Sequence, residues 1–220
     1  MDLNSFLTKF SIAAIPVIFA ITVHEVAHGW VARSFGDRTA EMQGRLSLNP
    51  IRHIDPVGTI LVPALLLAFG GLMFGWAKPV PVDPRNLRNP RPNMAVVSFA
   101  GPAANFAMAI AWALIMVLAQ GFNFGVAGSW LYEMGGYGIF FNLIIGLLNL
   151  VPIPPLDGGQ LLQNVLPQGP LTELLERIRP FGFVIVMVLL FTKVLGYLLL
   201  PPLVFLLSVI EAIFGVRGHP

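Results

Sequence analysis

The stretch FSIAAIPVIFAITVHEVAHGWV, from Phe10 to Val31, decides how the rest of the chain is read. It is apolar and long enough to cross a hydrocarbon layer, which takes about 20 residues of helix. Lys9 followed by an apolar run is similar to a signal-peptide core. No small-x-small cleavage site follows, however, and the run leads directly into His24-Glu25, so it reads as a retained membrane helix. Residues four apart on a helix share one face, about 6 Å apart along the axis. The imidazoles of His24 and His28 can therefore grip a single metal ion, with Glu25 beside it. A short motif can arise by chance, but the chain has only 4 His, and two of them hold this spacing with a glutamate between them. Ionisable groups are costly within a membrane helix, so their presence points to function.

Composition agrees with a lipid environment. Of the 220 residues 56% are hydrophobic and 11% charged, with a mean hydropathy of +0.78. A soluble domain carries about 25% charged residues, so this chain has too few polar side chains to cover a water-facing surface. The net charge of +2 comes from basic residues scattered through loops, with no basic run and no aromatic-interleaved basic face. Nucleic-acid binding is excluded on that pattern. The absence of Cys removes disulfides, thiolate metal sites and a cysteine nucleophile.

Five segments have membrane character: Phe10–Val31, Val57–Phe74, Met94–Ala119, Gly136–Val151 and Phe181–Leu200. The stretch Leu203–Phe214, after Pro201-Pro202, reads as too short to span. The loops from Arg33 to Pro56 and from Gly75 to Asn93 each hold four basic residues, and that from Gly158 to Pro180 holds Arg177 and Arg179. The loop from Gln120 to Gly135 holds none. The positive-inside rule puts the three basic loops in the cytoplasm. Val57–Phe74 then enters and leaves on one side, as a re-entrant hairpin, with a full span as the alternative. Between Phe10–Val31 and Val57–Phe74 the alternating run Gly44–Asn49 reads as a short strand. The expected fold is an all-α polytopic membrane protein: a helical transmembrane bundle with a small re-entrant, β-like element between the first two apolar segments, forming one domain over residues 1–220.

His-Glu-x-x-His is a zinc-protease signature, in which the glutamate serves as general base. A catalytic zinc needs a third protein ligand and an open position. Asp157 is the candidate, in NLVPIPPLDGG (Asn149–Gly159), where prolines unwind the helix and glycines allow close approach. The plainer reading is that Asp157 caps the following helix. Asn142 and Asn149 share a helical face, and an asparagine there can simply join helices. Gly101 and Asn105 read as close-packing positions, and His53 as an interfacial histidine with a fourth-ligand or gating role as the alternative.

HEVAH (His24–His28), GPAAN (Gly101–Asn105) and NLVPIPPLDGG together resemble the site-2 protease family of intramembrane zinc metalloproteases. The likeness runs from about His24 to Gln160. It implies one Zn2+ per chain held by His24, His28 and Asp157, with Glu25 catalytic and Asn149 binding substrate or supporting the oxyanion. It implies a form without the PDZ or CBS domain of larger relatives, and Val57–Phe74 departs from compact members. The expected activity is zinc-dependent endopeptidase cleavage in or near transmembrane segments of membrane-protein substrates. The expected setting is a multi-pass protein of a prokaryotic cell (inner) membrane. A membrane metal transporter or sensor using the same ligands without hydrolysis is the competing reading.

Overall fold

A computed structural model describes residues 3–62, 65, 75–121, 125–216 and 218. Its elements are α1 (Leu3–Ser34), α2 (Thr39–Met42), α3 (Pro90–Gly121), α4 (Val126–Asn149), α5 (Asp157–Val165), α6 (Pro170–Ile178), α7 (Gly182–Phe191) and α8 (Val194–Phe214). Short 3-10 or π turns lie at Pro50–His53, Pro56–Leu61, Pro84–Asn86 and Arg179–Phe181. Among the described residues four helical stretches are long and apolar enough to cross a membrane: Ser11–Ser34, Pro90–Gly121, Val126–Asn149 and Val194–Phe214. The all-α polytopic architecture expected from composition is the one observed.

Glycine brings the central helices together. Cβ atoms added at Gly135, Gly138 and Gly146 of α4 would meet Met116, Trp112 and Phe106 of α3 at 2.2, 2.3 and 3.2 Å. In lipid no hydrophobic drive separates helix from solvent, so close packing through small residues is what holds helices together. The core beside this seam is Ala109, Ala113, Met116, Ile139 and Leu143, closed by Leu203 and Ile210 of α8. Ile15, Phe19, Val96, Phe99, Ile110 and Leu114 are exposed on the outer faces, where lipid would cover them.

Several expected boundaries move. α4 begins at Val126, ten residues before the expected Gly136, so much of the loop without Lys or Arg is helix. Phe181–Leu200 is not one segment: α7 ends at Phe191, Lys193 adopts a left-handed φ of 63°, and α8 then runs through Pro201-Pro202 to Phe214. Leu203–Phe214, expected to be too short, is the second half of a spanning helix. Lys193 is the one formal charge between Phe181 and Leu200, and the Thr192 hydroxyl beside it donates to the Val188 carbonyl at 2.7 Å. The break thus falls at the polar pair.

Gly44–Asn49 is not a strand, and no strand occurs among the described residues. Around it the chain is joined by other contacts: Arg45 Nη2 donates to the Lys78 carbonyl at 2.8 Å, Lys78 N–H to the His53 carbonyl at 2.9 Å, and Trp76 N–H to the Gly58 carbonyl at 3.0 Å. The two flanks of Val57–Phe74 therefore meet. Most of that segment, the expected re-entrant hairpin, lies outside the described residues.

Candidate metal centre

His24 and His28 project from one face of α1 with ring centroids 4.7 Å apart and planes at 84°. Their Nε2 atoms approach to 3.1 Å. Asp157 Oδ2 lies 3.0 Å from His24 Nε2 and 3.3 Å from His28 Nε2. Both rings are buried, with 6% and 9% of their surface exposed. Three ligand atoms thus share one small volume.

The delivery of Asp157 follows from the residues before it. Pro152, Pro154 and Pro155 cannot supply helical N–H donors, so α4 stops at Asn149 and the chain folds back. A Cβ at Gly158 would sit 2.3 Å from the Leu150 carbonyl oxygen, and one at Gly159 2.3 Å from Pro154 N. Only glycine lets that loop close on the helix it precedes. Asp157 is the first residue of α5, the cap position belongs to Leu156, and no side chain caps the helix. Capping is therefore not what the Asp157 carboxylate does. At the far end of α5, Arg91 from the first turn of α3 donates to the Gln163 carbonyl at 3.2 Å and to that of Leu166.

Hydrogen bonds fix which ring atoms face the cluster. His28 Nδ1 donates to the Val97 carbonyl at 2.7 Å. His24 Nδ1 donates to Asn105 Oδ1 at 2.7 Å, because both amide hydrogens of Asn105 are spent on other acceptors. A neutral ring that donates through Nδ1 presents a bare lone pair at Nε2. The approach of the two Nε2 atoms therefore joins two acceptors. Asp157 Oδ2 is buried without a hydrogen-bond donor; its short distances to the rings describe an ion pair only if a ring carries a second proton. Three electron-rich atoms converging on one point suit a cation. Zinc bonds of 2.0–2.1 Å to nitrogen and oxygen in a tetrahedron put ligand atoms about 3.3–3.4 Å apart. The observed spacings of 3.0, 3.1 and 3.3 Å match one face of that tetrahedron. The three residues fit the metal.

Glu25, next to His24 in sequence, accepts the Val80 N–H through Oε2 at 2.8 Å. Val80 reaches it because Gly29 has no side chain: a Cβ there would meet Leu46 at 2.5 Å and Val80 at 2.9 Å. Residues from both basic loops thus lie over the α1 face next to the cluster. Asn149, at the end of α4, donates through Nδ2 to the Ile145 carbonyl one turn earlier at 3.0 Å, and this is its described bond. His53 is buried and its Nε2 donates to the Ser47 carbonyl at 2.8 Å, and it is not one of the three clustered groups.

Two residues that sequence reasoning assigned to packing stand at the site. Gly101 of α3 faces the rings so closely that a Cβ would lie 2.4 Å from His28 Nε2 and 2.6 Å from His24 Nε2. Asn105, one turn later, holds His24. The signal was present in GPAAN as a glycine and an asparagine four apart, which would share a helix face.

A family model described as peptidase family M50 matches residues 12–134 and 126–192. YwhC of Bacillus subtilis, named as a candidate zinc metalloprotease, is 38% identical over 192 residues, covering 86% of this chain and 84% of YwhC. Rip2 of Mycolicibacterium smegmatis, named in the same way, is 33% identical over 184 residues, 81% of this chain and 66% of Rip2. Rip2 of Mycobacterium tuberculosis is 31% identical over 141 residues, 64% of this chain and 52% of that protein. No solved structure is a significant match.

Proposed function

The chain belongs to peptidase family M50, and from that premise we propose that this multi-pass metalloendopeptidase cleaves peptide bonds in or near transmembrane segments of other membrane proteins. His24, His28 and Asp157 hold one zinc ion, and Glu25 is the general base. The observation that carries this reading is the convergence within 3.3 Å of two Nε2 lone pairs, from a helix long and apolar enough to span, and a buried carboxylate oxygen from the start of α5. The Bacillus and mycobacterial relatives support a prokaryotic cell membrane as its location.

When bound, zinc supplies a Lewis acid that makes water a nucleophile at neutral pH and polarises a carbonyl. The chain's residues do the rest. Val80 N–H orients the Glu25 carboxylate, leaving Oε1 to take the proton of the attacking water. Glu25 then gives that proton to the leaving amine as the peptide C–N bond breaks and the new C–O bond forms. Asn149 spends one Nδ2 hydrogen on Ile145. An amide carries two, and the second serves the substrate carbonyl or the developing oxyanion. The substrate must be locally extended, because a helix keeps its carbonyls in its own hydrogen bonds.

Glu25→Gln tests the reading in the full chain reconstituted in lipid vesicles with a transmembrane peptide. The variant keeps the shape and cannot take a proton, so zinc content should stay near that of the wild type while cleavage falls by roughly 100- to 10,000-fold. Metal-dependent transport without hydrolysis would leave the wild type with no cleavage to lose. Substantial turnover by the variant would assign the base elsewhere.

A further inference from the structure

Two asparagines are fully buried where α1, α3 and α4 meet. Asn105 of α3 donates through Nδ2 to the Ala20 carbonyl of α1 at 3.1 Å and to Asn142 Oδ1 of α4 at 3.0 Å. Asn142 in turn donates to the Gly138 carbonyl, one turn back on its own helix, at 2.8 Å. Carbonyl oxygens only accept, so Ala20 and Gly138 fix which way each amide faces. Asn105 Oδ1 is left as an acceptor, and among the described residues its donor is His24 Nδ1 at 2.7 Å. The approach is close because Gly146 has no side chain: a Cβ there would meet Asn105 Cβ at 3.3 Å.

We propose that Asn105 and Asn142 form an amide relay that sets the tautomer and ring orientation of His24, which makes them positioning residues for the metal site. The inference rests on the metal-centre reading above. The two histidines are held differently. His28 Nδ1 is anchored by a backbone carbonyl, which any side chain at Val97 would provide. His24 Nδ1 is anchored by a side chain, so its tautomer depends on what occupies position 105. Without that acceptor the proton can move to Nε2, where it blocks the lone pair that faces the metal. Groups that hold a metal-binding histidine through its other nitrogen are worth about 10- to 100-fold in metal affinity. Asn142 acts one step further away: it aligns the Asn105 amide and leaves Oδ1 no alternative to His24.

The test is competition with a chromophoric zinc chelator, using the purified full chain in detergent, with the absorption spectrum of the cobalt-substituted protein as a second readout. Asn105→Leu keeps the branching and the number of side-chain heavy atoms and removes the acceptor; it should weaken zinc binding about 10- to 100-fold and alter the cobalt spectrum. Asn105→Asp keeps an acceptor for Nδ1–H and should bind zinc far more tightly than the leucine variant. Asn142→Leu should fall between the wild type and Asn105→Leu. If position 105 served packing alone, Leu and Asp would cost alike, and that outcome overturns the proposal. So does wild-type affinity in Asn105→Leu. Should the leucine variant be recovered unfolded, Asn105→Ala, which forces no new atoms into the site, replaces it in the comparison with Asp. A wild-type chain that takes up no zinc overturns the metal-centre reading and this inference with it. Wild-type binding alongside unchanged variants overturns the inference alone.

Discussion

Gly101→Ala adds one methyl group at the tightest place in the site. Its Cβ would lie 2.4 Å from His28 Nε2 and 2.6 Å from both Cε1 and Nε2 of His24, whereas ordinary contact begins at 3.4 Å. Something must therefore yield by about 1 Å. The rings have little room to do so. Each is tied at Nδ1 by a 2.7 Å hydrogen bond, and the gap between the two Nε2 atoms is 3.1 Å. A metal site tolerates about 0.2 Å around its ideal distances, so a shift near 1 Å takes at least one ring out of coordination. A displacement of that size also costs about 100-fold in rate even where binding survives. The expected result is zinc affinity reduced by at least 10-fold and cleavage by at least 100-fold. Chelator competition and cleavage of a transmembrane peptide would measure the two effects. Gly196→Ala in α8, where a Cβ meets nothing within 4 Å, serves as the control and should match the wild type in both assays. Gly101→Ala with both properties within about threefold of wild type would refute the geometric argument, because a cage with no slack cannot absorb 1 Å.

Asp37, buried in the loop after α1, accepts from Thr39 N–H, Asn86 Nδ2 and Asp83 N–H at 3.0, 3.0 and 2.7 Å, and from the Thr39 hydroxyl. Burial pushes its carboxyl up, but the bonds from Thr39, Asn86 and Asp83 outweigh it and hold the group below its ordinary 3.8. Asp37→Asn turns an NH2 group toward these donors and should cost about 2–4 kcal/mol of stability at neutral pH, measured by thermal unfolding in detergent. A lowered native value means the wild-type advantage is complete above the ordinary carboxylate value and drains away as pH falls below it. The two proteins should therefore converge below about pH 4, and a gap that stayed constant with pH would be the wrong result. For topology, single cysteines at Ser47 and Asn86 should resist a membrane-impermeant thiol reagent on intact cells, while one at Ser129 reacts. Labelling at Asn86 but not Ser47 would show that Val57–Phe74 spans.

The three clustered groups were legible because their signals are local and out of place. Two imidazoles and a carboxylate inside an apolar run announce themselves, and three prolines followed by two glycines explain how Asp157 is freed from its helix. Gly101 and Asn105 carry no such mark. Their partners are long-range, with His24 and Asn105 81 positions apart, and a glycine or asparagine in a membrane helix is equally at home in plain packing. The C-terminal boundary was misplaced for another reason. Two successive prolines look like a stop, yet α8 passes through them, as membrane helices tolerate proline where the freed backbone groups are satisfied nearby. The break falls instead at Thr192-Lys193, where Lys193 takes a left-handed φ of 63°. Alternation at Gly44–Asn49 reads as a strand, but Arg52 and His53 of the turn at Pro50–His53 bond the Gly44 and Ser47 carbonyls instead.

The placement of GPAAN on α3 follows from which helices pack together. α3 packs on α1, on α4 and on α5. The pair α1 and α5 carries the three clustered groups yet is not among the helix pairs in extensive contact. Each group is therefore registered against α3: the rings by Gly101, Asn105 and the Val97 carbonyl, and α5 by Arg91 at its far end. A metal between His24, His28 and Asp157 would then be the direct link between α1 and α5, joining two helices that otherwise meet through a third. Such a site can keep its rings pre-oriented on α1 while Asp157 stands on an element anchored independently. The precision of the cluster comes from α3, which contributes no ligand, and this is why the GPAAN positions matter as much to the geometry as the motif that announces it.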